Sequence, residues 1–177
     1  EYPVQIERMP ALHLMKHCDS LLSSVGRNHE VDPDAWQTDE HNLEVLADWT
    51  AAKQTMQILM TNAMRYSEEG SPLLLGCREG DNGKVRFTLT CPGLELDDRQ
   101  LQSLFEPFAG RSRDDAQSTG GTGIGLNLTR HLAELMNGEV GVICPGDPGC
   151  TFWLELPLAP QEVRAAEAAP SLSEGTG

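Results

Sequence analysis

The sequence predicts an α+β two-layer sandwich: a mixed, mostly antiparallel sheet with about three helices on one face. Apolar residues recur at helical spacing in well-separated segments, and short apolar/polar alternating runs lie between them. Glycine-bearing turns join some of those runs as hairpins. The alternation at 42–47 and 84–90 gives each strand one apolar side, which fits helices on a single face.

In chain order, residues 2–6 (YPVQI) read as a short strand. Pro10 then opens a helix whose positions 11, 12, 14, 15, 18, 21, 22 and 25 are apolar, with Gly26 as its stop signal. The run 27–41 (RNHEVDPDAWQTDEH) is polar, contains Pro33 and reads as a loop, and 42–47 (NLEVLA) reads as a strand. Asp48 and Thr50 offer caps to a long helix over 50–66. A turn at 67–72 leads to strands 73–78 and 84–90, a hairpin across Gly80–Gly83. Cys91, Pro92 and Gly93 interrupt the pattern, and 97–105 (DDRQLQSLF) is a short helix with acidic residues at its start. Residues 107–123 are rich in Gly, Ser, Thr, Asp and Arg and read as a long mobile loop. A helix over 122–136 and strands 139–143 and 151–156, around the turn PGDPG, complete the fold. From Ala159 the composition shifts to Pro, Ala, Glu, Ser and Gly, which predicts a folded domain over 1–158 and a disordered tail over 159–177.

Thirteen Lys plus Arg against 27 Asp plus Glu give a net charge of −14. That balance argues against a general nucleic-acid binder and against direct contact with anionic membranes. No apolar stretch is long enough for a span, and the first ten residues lack a secretory pattern, so a cytoplasmic setting is expected, including the cytoplasmic part of a membrane-bound sensor. Five cysteines, at 18, 77, 91, 144 and 150, form no CxxC pair; the odd count favours free thiols in a reducing compartment over a disulfide framework or zinc site. His13 and His17 share a helical face but have no further ligand in a recognisable pattern, so they read as ordinary helix residues.

Chemistry concentrates in three segments. In STGGTGIGLNLTRHLAELM, Gly121, Gly123 and Gly125 run directly into a helix, where exposed amides and the helix N-terminus attract anions. A flexible hinge is the plain alternative. A dinucleotide fold is excluded because a polar loop, not a strand, precedes the glycines, and the Walker lysine is absent. In DWTAAKQTMQILMTNAMRYSEEG, Gln54, Ile58, Asn62 and Arg65 share one helical face, with Tyr66 beside them. Such an Asn is more often a satisfied amide than a ligand, but Asn, Arg and Tyr at one helix end also suit a metal, phosphates and a base. LFEPF at 104–108 reads by itself as a hinge anchor before the loop.

In this order and spacing the segments resemble the ATP-binding domain of sensor histidine kinases, in the superfamily that includes gyrase, a heat-shock chaperone and mismatch-repair ATPases. The resemblance covers roughly 40–157, and 1–40 more loosely. TNAMRYS resembles the family's N box, LFEPF its F box, GGTGIGL its second glycine box and GCTFWLELPL its closing strand. The resemblance implies a histidine kinase-like ATPase fold and transfer of the γ-phosphoryl of Mg-ATP to a histidine. The cofactors are then ATP and Mg²⁺, and the partners an upstream dimerisation domain carrying the acceptor histidine and a response regulator receiver domain. Asn62 is implied as the Mg²⁺ ligand, Arg65 as a phosphate contact, and both as catalytic. Tyr66 is placed beside the base or sugar. Gly121, Thr122, Gly123, Gly125 and Leu126 would line the phosphates. Residues 106–120 would form the ATP lid, with Phe108 in the F box and Arg111 and Arg113 as phosphate contacts. Thr151 would lie near the adenine pocket.

The first glycine box departs from the pattern. LTCPG at 89–93 puts Leu89 where the family carries the Asp that accepts from the adenine amino group, and Cys91 where it carries a glycine; Gly93 is retained. Ile58 stands where kinases carry Asn and hydrolytic relatives a Glu base, so water activation of the gyrase kind is not expected. These losses define the rival reading, a pseudokinase that keeps the fold as a docking domain. An anti-sigma-factor kinase is a third reading, less consistent with the region before the N box and the LPL ending. His29–Glu30 is rejected as the phosphoacceptor because Pro33 and polar neighbours forbid a long dimerising helix; the acceptor is expected upstream of residue 1.

Overall fold

The computed structural model describes residues 3–36, 43–68, 70–80, 82–105, 125–146 and 148–160. Among the described residues, seven strands and four helices follow in order: β1 (Glu7–Pro10), α1 (Ala11–Ser24), β2 (His29–Trp36), β3 (Glu44–Ala47), α2 (Trp49–Tyr66), β4 (Leu73–Glu79), β5 (Lys84–Pro92), α3 (Asp98–Ser103), α4 (Gly125–Leu135), β6 (Glu139–Ile143) and β7 (Gly149–Pro157). The main sheet has the order β2-β4-β5-β7-β6; β1 and β3 form a separate antiparallel pair. Only β2–β4 is parallel among the named pairs of the main sheet, so it is mixed and mostly antiparallel, as expected.

Pleating sorts the two faces. Val85, Phe87, Leu89 and Cys91 of β5 and Cys150, Phe152, Leu154 and Leu156 of β7 are all 0% exposed and lie under the helices. α2 packs between α1 and α4 and onto β5 and β7. Its N-terminus is fixed by Asp48, whose Oδ1 accepts from the Ala51 amide at 2.9 Å and whose Oδ2 accepts from the Gln5 amide at 2.7 Å. α3 opens on an Asp97–Gln100 capping box but buries none of its own residues; Leu104 and Phe105 just beyond it are buried. On the opposite face, the Arg86 guanidinium lies 4.1 Å from the Trp153 ring and donates to Glu155 from Nε at 2.9 Å. The Trp153 ring covers Gly141, where an added Cβ would meet Cζ2 at 2.5 Å.

Several expectations are corrected. The first strand is Glu7–Pro10 rather than 2–6, because pairing with β3, Glu7 opposite Ala47, decides where it forms. The supposed loop over 27–41 contains β2, an edge strand in which proline is tolerated, paired from His29 opposite Leu73 and irregular between Val31 and Trp36. β3 belongs to the small sheet, so the alternation at 42–47 reflects packing outside the main sheet. The expectation of five free thiols fails: Cys144 and Cys150 form a disulfide, and Cys18, Cys77 and Cys91 are free. The folded part extends past 158, since the Ala159 amide donates to the Glu44 carbonyl at 2.8 Å and Ala159 is buried. The loop expected over 107–123 and the tail from 161 onward lie outside the described residues.

Candidate functional site

Helix α2 carries Asn62 and Arg65 one turn apart near its C-terminal end. Asn62 is buried, and its Nδ2 donates to the Ile58 carbonyl at 2.8 Å. That bond sets the amide's orientation and turns Oδ1 toward Arg65, whose Nη1 donates to it at 3.2 Å. The site therefore offers an amide oxygen with a spare lone pair beside a half-buried guanidinium. Tyr66 is half-buried and packs against the core.

Gly125 opens α4 against the same stripe of α2. An added Cβ there would stand 3.3 Å from Ile58 Cγ2, a tight approach that the Ile58 side chain would have to relieve by a few tenths of an ångström. The first described turn of α4 thus adjoins the residue one turn before Asn62. Leu126 is buried and anchors this end. Arg130 of α4 lies over the Phe105 ring at 4.8 Å, which ties α4 to the described part of the LFEPF segment. Asn62 and Arg65 thus meet on α2, and Gly125 at the start of α4 packs on the Ile58 turn that precedes them. Phe108, Arg111, Arg113, Gly121, Thr122 and Gly123 lie outside the described residues.

The first glycine box ends β5. Leu89 and Cys91 are fully enclosed on the helix face, and the Cys91 sulfur lies 3.9 Å from the Ala63 carbonyl of α2. Burial pushes the Cys91 thiol up to about 12, well above the range in which it ionises at neutral pH. Gly93 adopts φ +82°, a conformation that favours glycine, and its amide donates to the Pro148 carbonyl at 2.7 Å. Thr151 is not brought to the site: its hydroxyl pairs with that of Thr90 at 2.9 Å on the sheet face opposite the helices.

Sequence reasoning overlooked Cys150, which sits directly opposite Cys91 across β5–β7 and on the same face. The signal was available: Cys144 and Cys150 flank the PGDPG turn symmetrically. A separate cavity of about 390 Å³, lined by Leu12, Met15, Lys16, His29 and Val31 among others, contains none of the motif residues.

Residues 47–160 match the family described as histidine kinase-, DNA gyrase B-, and HSP90-like ATPase. The chain is 32% identical over 127 residues to Two-component system protein A of Emericella nidulans, covering 68% of this chain and 19% of that protein. It is 30% identical over 119 residues to Sensor histidine kinase GacS of Pseudomonas protegens, covering 66% of this chain and 13% of that protein. Against Sensor-like histidine kinase SenX3 of Mycolicibacterium smegmatis the identity is 29%, covering 87% of this chain and 41% of that protein. The chain thus spans less than half the length of each of these relatives. Among solved structures, full-length ShkA in complex with AMPPNP superposes with a TM-score of 0.68 at 25% identity, over 89% of this chain and 32% of that one. The nucleotide-free catalytic domain of histidine kinase ThkA gives 0.68 at 21% identity, over 87% of this chain and 96% of that one, a likeness of fold. With the family match covering well over half of its residues, and the helix-covered mixed sheet in place beneath the Asn62 stripe, the chain belongs to the histidine kinase-, DNA gyrase B- and HSP90-like ATPase family.

Proposed function

We propose that this chain is the Mg-ATP-binding catalytic domain of a sensor histidine kinase. It transfers the γ-phosphoryl of ATP to a histidine on a dimerisation domain upstream, from which a response regulator receiver domain takes it. The observation that carries the reading is the convergence of the Asn62 oxygen, the Arg65 guanidinium and the start of α4 at Gly125. These groups fit a metal-bound triphosphate: a neutral oxygen ligand, a cationic donor and a helix terminus that favours anions. When bound, Mg²⁺ would neutralise phosphate charge. Asn62 would hold it through Oδ1, because Nδ2 is committed to the Ile58 carbonyl. Arg65 and the α4 amides bind and orient phosphate oxygens, and Arg111 and Arg113 are proposed to add contacts from the lid. Ile58, one turn before Asn62, provides no proton acceptor, so the phosphates are positioned for transfer rather than attacked by an activated water.

The base side fits less well. Leu89 is 0% exposed and apolar, and Thr90 faces away. A lost hydrogen bond with its partner left unpaired costs about 1–3 kcal/mol, or roughly 10–100-fold in affinity. Weak binding with reduced ATP-over-GTP preference is the expected result. The buried Leu89 favours a second reading, a pseudokinase that docks partners without nucleotide. Calorimetry with Mg²⁺ and ATP separates the two. The first reading expects binding that Asn62→Ala abolishes; no heat at millimolar ATP would establish the pseudokinase. Tight binding that rejects GTP would show that another group supplies the missing acceptor.

A further inference from the structure

Three cysteines stand in a row across the end of the sheet. Cys91 of β5 pairs in register with Cys150 of β7, and Cys150 is bonded to Cys144 just beyond β6. The hairpin closed by that bond grips the turn that follows β5. Its Pro148 carbonyl accepts from the Gly93 amide at 2.7 Å. Its Gly149 backbone runs so close to β5 that an added Cβ would meet the Cys91 carbonyl at 2.1 Å and the Gly93 nitrogen at 2.7 Å. The Cys150 sulfur, which has no proton to donate, touches the Leu94 carbonyl at 3.3 Å. Residues 91–93 end the degenerate first glycine box, 89–93, and Leu94 follows it; that box is the base-side wall of the nucleotide site in the reading above.

We propose that the Cys144–Cys150 disulfide is a redox-responsive clamp that holds the 91–94 turn in shape, so that the redox state of this hairpin sets nucleotide affinity. The regulatory part rests on the nucleotide-binding reading. Reduction by a dithiol breaks the S–S bond; each cysteine sulfur gains one hydrogen and the two thiols of the reductant become a disulfide. The hairpin then keeps its strand pairing but loses the covalent tie across its turn, and the Pro148 carbonyl is freer to leave the Gly93 amide. Cys144 is half-buried, which gives a reductant access that the enclosed Cys91 lacks. Cys91 remains a protonated thiol and does not attack the neighbouring bridge.

Three measurements on the full chain test this. Alkylation of the denatured, unreduced protein is expected to label three thiols, rising to five after dithiothreitol; five labels before reduction would overturn the proposal. Hydrogen exchange at Gly93 and its neighbours is expected to accelerate by about 10-fold on reduction and in Cys144→Ser, which no longer responds to reductant. Unchanged protection would overturn the clamp. Calorimetry with Mg-ATP is expected to show affinity about 3–10-fold weaker for the reduced than for the oxidised chain. Equal affinity in both states of a binding-competent protein would overturn the regulatory role. Binding in neither state would overturn the nucleotide reading and the regulation that rests on it. The exchange measurement needs no nucleotide and tells that failure apart from failure of the clamp.

Discussion

A single carboxylate carries more than one task at Asp48. One oxygen caps α2 and the other accepts from the Gln5 amide, so Asp48→Ala removes the cap and leaves the buried Ala51 amide and the part-buried Gln5 amide without this acceptor. A loss of about 2–3 kcal/mol is expected, read as a lower denaturation midpoint. Gly141 presents the opposite case, in which the absence of atoms matters. Gly141→Val would drive a side chain into the Trp153 ring and displace the Arg86 guanidinium stacked on it. We expect destabilisation by about 1–3 kcal/mol, with Gly141→Ala intermediate. Leu89→Asp is the direct attempt to rebuild the adenine acceptor, but the side chain is wholly enclosed among apolar neighbours. The variant is expected to lose several kcal/mol of stability, about 3 or more, even where it raises preference for ATP over GTP. A variant of unchanged stability would mean that the position opens to water in solution.

Among the elements, those with a local cause were legible and those with a tertiary cause were not. α2 announces itself by its cap and its apolar stripe, and the β4–β5 hairpin by alternation around a glycine-bearing turn. β2 is invisible in composition, because its polar sequence becomes a strand only when β4 offers an edge to pair with. The same logic applies to the site. Asn62, Arg65 and Gly125 belong to helices and could be placed by helical spacing, whereas the orientations of Thr90 and Thr151 depend on sheet pleating that motif matching ignores. β2 also contains the clearest pH response. His29 Nε2 lies 2.6 Å from Asp19 Oδ1 and its Nδ1 2.9 Å from the Arg27 carbonyl. Burial pulls the imidazole pKa down, but the Arg27 carbonyl and the Asp19 carboxylate together outweigh it, leaving the value above 6.5. A raised folded value means that the contribution is complete below pH 6.5 and fades as pH climbs through the folded pKa. Amide protection of β2 is therefore expected to weaken modestly above that range, and Asp19→Asn to flatten the dependence; Asp19 is largely exposed, so solvent screening keeps the effect small.

Across the whole molecule, the described core closes where β3 meets both the first strand and the last residues. β1 pairs along one side of β3, Val45 bridges to Leu158, and Leu158 donates to the Gly83 carbonyl at 3.0 Å. Truncation after Pro160 is expected to leave the melting temperature unchanged. Truncation after Pro157 would remove these bonds and the buried Ala159, and is expected to lower it by several degrees, roughly 1–2 kcal/mol in a domain of this size. An equal effect from both truncations would place the stabilising contacts beyond residue 160.

That junction has a further consequence for architecture. Glu7–Pro10 and Leu158–Pro160 converge on one short strand, with the Arg8 guanidinium reaching the Pro160 carbonyl. The chain therefore enters and leaves the domain at one corner, like a bead whose two thread holes lie side by side. A fold wired this way can be interrupted elsewhere and rejoined here by a brief bridge. It can also sit within a longer polypeptide without separating what lies on either side of it, and the segment that leads into β1 touches the cap of the Asn62 helix directly, through the Gln5 amide on Asp48.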